Sequence, residues 1–79
     1  MSTKAKECIN IGKNMKYIRN KRGVTVTQLG EDLNIPRGSV ATYESYGSIS
    51  VQRLQMFADY YGIDVDLFYT DHEQFKKSV

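Results

Sequence analysis

The sequence predicts an all-α domain, a compact bundle of five short helices in which helices 2 and 3 form a helix-turn-helix. Three observations carry this reading. Apolar residues recur at helical spacing in short stretches. Helices 2 to 5 are opened by a capping residue or proline, and helices 1, 2 and 4 are closed by glycine or asparagine. No stretch of the chain is read as a strand, a repeat or a linker.

Ile11, Met15 and Ile18 fall at i, i+4 and i+7, one stripe of a helix over residues 9–21 with its lysines on the other faces. Gly23 stops it, and Val24 anchors the connection. Thr25 is the N-cap of helix 2, with Gln28 placed to complete a capping box. Leu29 and Leu33 form its apolar pair. Gly30 between them costs about 1 kcal/mol relative to Ala, which implies close backbone approach there. Asn34 ends this helix in a tight turn. Pro36 suits the first turn of helix 3. Ile35, Val40 and Tyr43 face inward, leaving Arg37, Gly38, Ser39, Ala41 and Thr42 on the other side. After a loop from Tyr46 to Ile49, Ser50 caps helix 4, whose stripe is Val51, Leu54, Phe57, Ala58 and Tyr61. Gly62 stops it and Ile63 is a further anchor. Asp64 caps helix 5, with Leu67 and Phe68; its extent through Tyr69–Lys77 stays open. The chain divides into a flexible basic arm at 1–8, a helix-turn-helix domain at 9–69, and a tail or helix extension at 70–79.

With 79 residues the chain makes one small domain, hiding about 60–65% of its unfolded surface. Cys8 has no second cysteine to pair with, and one Cys with His72 falls short of the roughly four ligands of a zinc site. No metal or cofactor is expected. No apolar run approaches the ~18 residues of a membrane span, so no membrane partner is expected and the expected location is the cytoplasm. No Ser-His-Asp set, carboxylate dyad or phosphate-cradling glycine loop appears, so the chain is not read as an enzyme. The net charge of +2 is unevenly spread. Residues 1–22 hold seven Lys and Arg against Glu7, residues 23–53 two Arg against three acids, and residues 54–79 two Lys against five acids. A basic N-terminal part suits a polyanion, although a solvated basic helix face has the same charge.

The functional signal is two short helices joined by a tight turn. A small residue, Gly30, marks the crossing, Asn34 makes the turn four residues later, and the β-branched Val40 packs into the angle. The chain here resembles the phage repressor/Cro, or XRE, family of helix-turn-helix proteins. The resemblance runs from about Ile11 to Phe68. It rests on Ile11-Gly-Lys-Asn-Met-Lys-Tyr-Ile-Arg, Gly23-Val-Thr, Leu29-Gly-Glu-Asp-Leu-Asn-Ile-Pro-Arg-Gly-Ser-Val-Ala-Thr-Tyr-Glu, Ser50-Val-Gln-Arg-Leu and Ala58-Asp-Tyr-Tyr-Gly-Ile-Asp-Val-Asp-Leu-Phe. The resemblance implies a repressor-like five-helix domain that places helix 3 in the DNA major groove and binds as a dimer to a two-fold symmetric operator. It also implies an ion pair between Arg19 and Glu44. Two positions depart from the family pattern. Val26 stands where many members carry Gln, and the loop from Ser45 to Ile49 is uncharged where many carry Lys or Arg.

The expected base contacts are Arg37, which can bond guanine O6 and N7, with Gly38, Ser39 and Thr42, whose methyl suits thymine. The expected phosphate contacts are Thr25 and Thr27 at the N-terminus of helix 2, with Tyr46 and Ser48 in the loop after helix 3. Each has a structural counterpart: a cap for Thr25, a slim face for Ser39 and Thr42, a surface cation for Arg37. Tyr69 and Phe75, like Tyr60, are surplus to the aromatic residues a core of this size needs. Tyr69 and Phe75 are the expected dimer interface, and deleting residues 69–79 is expected to leave the helical fold largely intact. His72 reads as a surface residue. The expected function is a sequence-specific DNA-binding transcriptional regulator, a repressor, acting on double-stranded DNA as a homodimer. The alternative is a helix-turn-helix protein-interaction module of antitoxin or antirepressor type, with a regulatory protein partner and weak or no DNA binding.

Overall fold

The computed structural model describes residues 3–79, with side chains from Asn10 onward. Among these the order is α1 (Thr3–Lys21), α2 (Val26–Leu33), α3 (Arg37–Tyr46), α4 (Val51–Tyr61), a 3₁₀ turn (Val65–Tyr69) and α5 (His72–Ser78). The fold is all-α, with five α-helices among the described residues. Helix α1 is the spine: α3, the 3₁₀ turn and α5 pack on it, while α2 packs on α3 and α4.

The chain reversals follow from local chemistry. Helices α1, α2 and α4 end in the same device, a left-handed residue followed by an apolar one. At the end of α1, Val24 N–H reaches Arg19 O (3.1 Å) and Gly23 N–H reaches Asn20 O (3.1 Å). At the end of α2, Ile35 N–H reaches Gly30 O (2.8 Å) and Asn34 N–H reaches Glu31 O (3.3 Å). Ile63 and Gly62 repeat the pattern on Ala58 and Asp59. Asn34 is the only non-glycine residue among those described with positive φ, at 57°. The helix starts are capped by Thr25, Ser50 and Asp71, whose side chains accept from the N–H groups of Gln28, Arg53 and Gln74. Only half of the expected capping box forms, because the Gln28 side chain turns forward to donate to Asp32 (2.7 Å).

The core joins Ile11, Met15 and Ile18 of α1 to Leu29, Ile35, Val40, Leu54, Phe57, Ala58, Tyr61, Phe68 and Phe75. The buried polar residue Asn14 ties the end of the chain to α1. Its amide nitrogen donates to Phe68 O (3.0 Å) and Thr70 O (2.9 Å), and its oxygen lies 2.8 Å from His72 Nδ1.

Several expectations change. Helix α1 begins at Thr3, six residues before the start its apolar stripe indicates. Met1 and Ser2 lie outside the described residues, and the arm lysines Lys4 and Lys6 lie outside the described side chains. The expected fifth helix is two elements: the 3₁₀ turn, capped by Asp64, and α5, restarted by Asp71. Val51 is 63% exposed, since it is the first helical residue after the cap and its stripe has not yet turned to the core. Phe75 is wholly buried, which removes it from the expected dimer interface. Helix α5 folds back on α1, stacking Phe75 on Phe68 (5.5 Å between centroids) and setting it edge-on to Tyr17. His72 is half-buried between Asn14 and the Tyr17 ring, so it is a structural residue of this closure.

Candidate nucleic-acid interface

Helix α3 is held from three sides. Val40 is buried in the angle between α2 and α3. Tyr43 meets the Phe57 ring edge-on at 6.1 Å, and its hydroxyl accepts from Arg53 (3.3 Å). Glu44 is bound in two-point fashion by Arg19: Nε to Oε2 at 2.7 Å and Nη2 to Oε1 at 3.0 Å. The third guanidinium arm donates to Val24 O (2.8 Å), so one buried cation joins α1, α3 and the first reversal. The hydrogen bond and charge of Glu44 hold the guanidinium pKa above its ordinary value, outweighing the cost of burial.

Two glycines let backbone meet backbone at this helix. A Cβ at Gly30 would lie 2.6 Å from Ile35 O, which accounts for a glycine inside α2. A Cβ at Gly12 would lie 2.5 Å from Glu44 O at the other end of α3.

With the inner face so fixed, the outer face of α3 presents Arg37, Gly38, Ala41 and Thr42 to solvent, and Ser39 is half-buried. From Arg37 to Thr42 no bulky apolar side chain interrupts that strip, and the exposed Tyr46 stands one turn beyond it. The Thr42 hydroxyl donates to Gly38 O (2.9 Å), leaving its methyl and an oxygen lone pair outward. Arg37 and Thr27, expected as a base and a phosphate contact, line one open cleft of about 540 Å³ between α2 and the start of α3. Glu31, Asn34 and Ile35 share it. Thr25 and Thr27 are both exposed at the start of α2; Thr25 spends its oxygen on the cap. Tyr46 is 67% exposed and Ser48 is exposed, flanking the C-terminal end of α3. Tyr69 is 48% exposed, on the 3₁₀ turn and away from this strip in sequence.

Three residues that matter here were not singled out from the sequence. Arg53 of α4 donates to the Tyr43 hydroxyl and so stands beside α3. Asn14 carries no pattern that marks a buried amide. Gly12 did carry a signal, since a glycine inside an apolar helical stripe is the same anomaly that marks Gly30.

Among the described residues no group of His, Cys, Asp and Glu is gathered to hold a metal ion, and no helix is long and apolar enough to cross a membrane. Compared with known families, residues 15–68 match the model described as Helix-turn-helix. The chain belongs to the XRE-type helix-turn-helix family. XRE-type domains are DNA-binding regulatory domains and not typically enzymes, and α2 packs on α3 here. No curated protein and no solved structure matches the chain.

Proposed function

We propose that this XRE-type protein is a sequence-specific transcriptional repressor that binds a palindromic operator as a homodimer, with α3 in the major groove. The observation that carries the reading is the outer strip of α3. It is slim, exposed and headed by Arg37, on a helix whose inner face is tied down by Glu44 and Val40. A helix about to enter a groove roughly 12 Å wide needs such a face; an ordinary solvated face does not. Arg37 is assigned to guanine, the Thr42 methyl to thymine, and Gly38 and Ser39 to close approach. Thr25, Thr27, Tyr46 and Ser48 are assigned to phosphate. Two-fold symmetry places the recognition helices about 34 Å apart. Tyr69 remains the candidate interface residue, since Phe75 belongs to the core. Repression here needs no cofactor, because occupying the operator is enough.

The uncharged loop and the exposed Tyr46 and Val51 favour a second reading, a surface for a regulatory protein partner. Selection of bound sites from random DNA separates the two. The DNA reading expects a recovered palindrome, and about 4–6 phosphate contacts give a log–log salt slope near about −4 to −5. Arg37→Ala is expected to cost about 1–3 kcal/mol on that site and to relax one base position per half-site. Equal weakening on every sequence makes Arg37 a phosphate contact. Salt-independent binding, or no selected site, leaves the protein-partner reading standing.

A further inference from the structure

We infer that Gly12 is a positioning residue for the recognition helix: the bare backbone of α1 at this point sets the tilt of α3 and thereby the bases that the C-terminal half of α3 reads. This rests on the DNA-binding reading above.

A Cβ at Gly12 would lie 2.5 Å from Glu44 O, 3.0 Å from Tyr43 O and 3.1 Å from the Glu44 carbonyl carbon. A carbon–oxygen contact settles at about 3.3 Å or more, so roughly 0.8 Å of clearance is missing. All three atoms are backbone, and no rotamer change makes room. Gly38 is the contrast: a Cβ there meets nothing within 4 Å, so its missing side chain reflects no packing demand inside the domain.

The clearance must come from moving one helix. Helix α1 is anchored along its length by Met15, Ile18 and the Asn14 bonds. Helix α3 has only ten residues, and its start is seated on the second bare contact, where a Cβ at Gly30 would lie 2.6 Å from Ile35 O and 3.5 Å from Arg37 N. The easier motion swings the Glu44 end outward about the Arg37 end. The tie at Glu44 runs through the long Arg19 side chain, which can follow it, whereas the Arg37 end rests backbone on backbone. Thr42 stands five residues along from Arg37, about 7.5 Å at 1.5 Å per residue, so it is carried with the swing. Arg37, at the pivot, stays.

The test compares Gly12→Ala with Leu54→Ala, which truncates the core from α4 without adding volume at the seat. Residual dipolar couplings on the free protein report the tilt of α3 against α1, and selection from random DNA reports base preference. Gly12→Ala is expected to alter the couplings of residues 37–46. It should change preference by about fivefold or more at positions read near Thr42, while the Arg37 position hardly changes. Leu54→Ala is expected to lower the melting temperature and leave both readouts as in the parent. Unchanged couplings and preferences in Gly12→Ala overturn the inference. So does the same change in Leu54→Ala. So does a Gly12→Ala chain that stays unfolded in the cold, because glycine would then be a condition of folding rather than of placement. If the parent selects no DNA sequence, the DNA-binding reading fails, and the couplings alone decide whether Gly12 sets the helix.

Discussion

Asn14 and His72, fifty-eight positions apart, share a 2.8 Å hydrogen bond whose direction is fixed by their surroundings. The Asn14 amide nitrogen faces the carbonyls of Phe68 and Thr70, which accept and cannot donate. Its oxygen therefore faces His72, and Nδ1 must carry the proton. Asn14→Ala would leave the buried Phe68 carbonyl and the half-buried Thr70 carbonyl without this donor, a loss of about 2–4 kcal/mol. Asn14→Asp keeps the shape but not the donor, and should be no better. Urea denaturation checks both; a variant as stable as the parent would show that the tie carries no weight.

Phe75→Ala removes a wholly buried ring stacked on Phe68 and should cost about 3–5 kcal/mol. A domain of this size has roughly 4–12 kcal/mol in total. Deleting residues 71–79 should therefore unfold most of the protein, against the expectation that the tail is dispensable. Far-ultraviolet circular dichroism of the truncated chain decides it, and a native helical melt would place Phe75 outside the essential core.

Glu44→Ala should cost about 3–5 kcal/mol, because it strands a buried guanidinium whose other contact is the Val24 carbonyl. Glu44→Gln retains an acceptor oxygen and should lose less. A thermal melt that does not distinguish Glu44→Ala from the parent contradicts the two-point pair.

The Tyr61 hydroxyl is buried without a hydrogen-bond partner. Burial, chiefly, pushes its pKa well above the usual phenol range, with the Glu44 charge adding to the rise. A phenol with a folded pKa raised above its unfolded value near about 10 contributes stability that is whole below that pH and lost as pH climbs toward the folded value. Tyr61→Phe should be as stable as the parent or about 1 kcal/mol more stable at neutral pH, since it removes an unpaired polar atom. It should also lose stability less steeply above pH ~10. Denaturant midpoints measured on both sides of that pH test the two statements together.

The motif was legible in the residues because each of its parts has a local signature. Gly30 betrays the crossing, Asn34 the turn, and Val40 and Tyr43 the inner face of α3. The caps Thr25, Ser50 and Asp64 were legible for the same reason: a cap acts within three residues of itself. What escaped was every feature made by distant segments. Nothing near Asn14 says that carbonyls more than fifty positions on will need its amide. Phe75 looked surplus because a count of aromatic side chains does not reveal that α5 folds back. Of the interface, the exposure of Arg37 and Thr42 followed from helical periodicity. The bond from Thr42 to Gly38, and the nearness of Arg53, depended on packing.

Left-handed residues at Gly23, Asn34, Gly47 and Gly62 make each of the first four helix ends a self-contained instruction. Through α4 the polypeptide joins α2 to its neighbour α3, and α1 to α3, where Arg19 meets Glu44 25 positions on; helical topologies of this reach cross their kinetic barrier quickly. The closure by α5 is different in kind, because its partners on α1 lie at the far end of the sequence. Substitutions at Phe75 or His72 should then accelerate unfolding while leaving the refolding rate almost unchanged, the signature of contacts formed after the transition state. The last helix thus acts as a latch on the native state, governing how long the protein lasts more than how fast it forms.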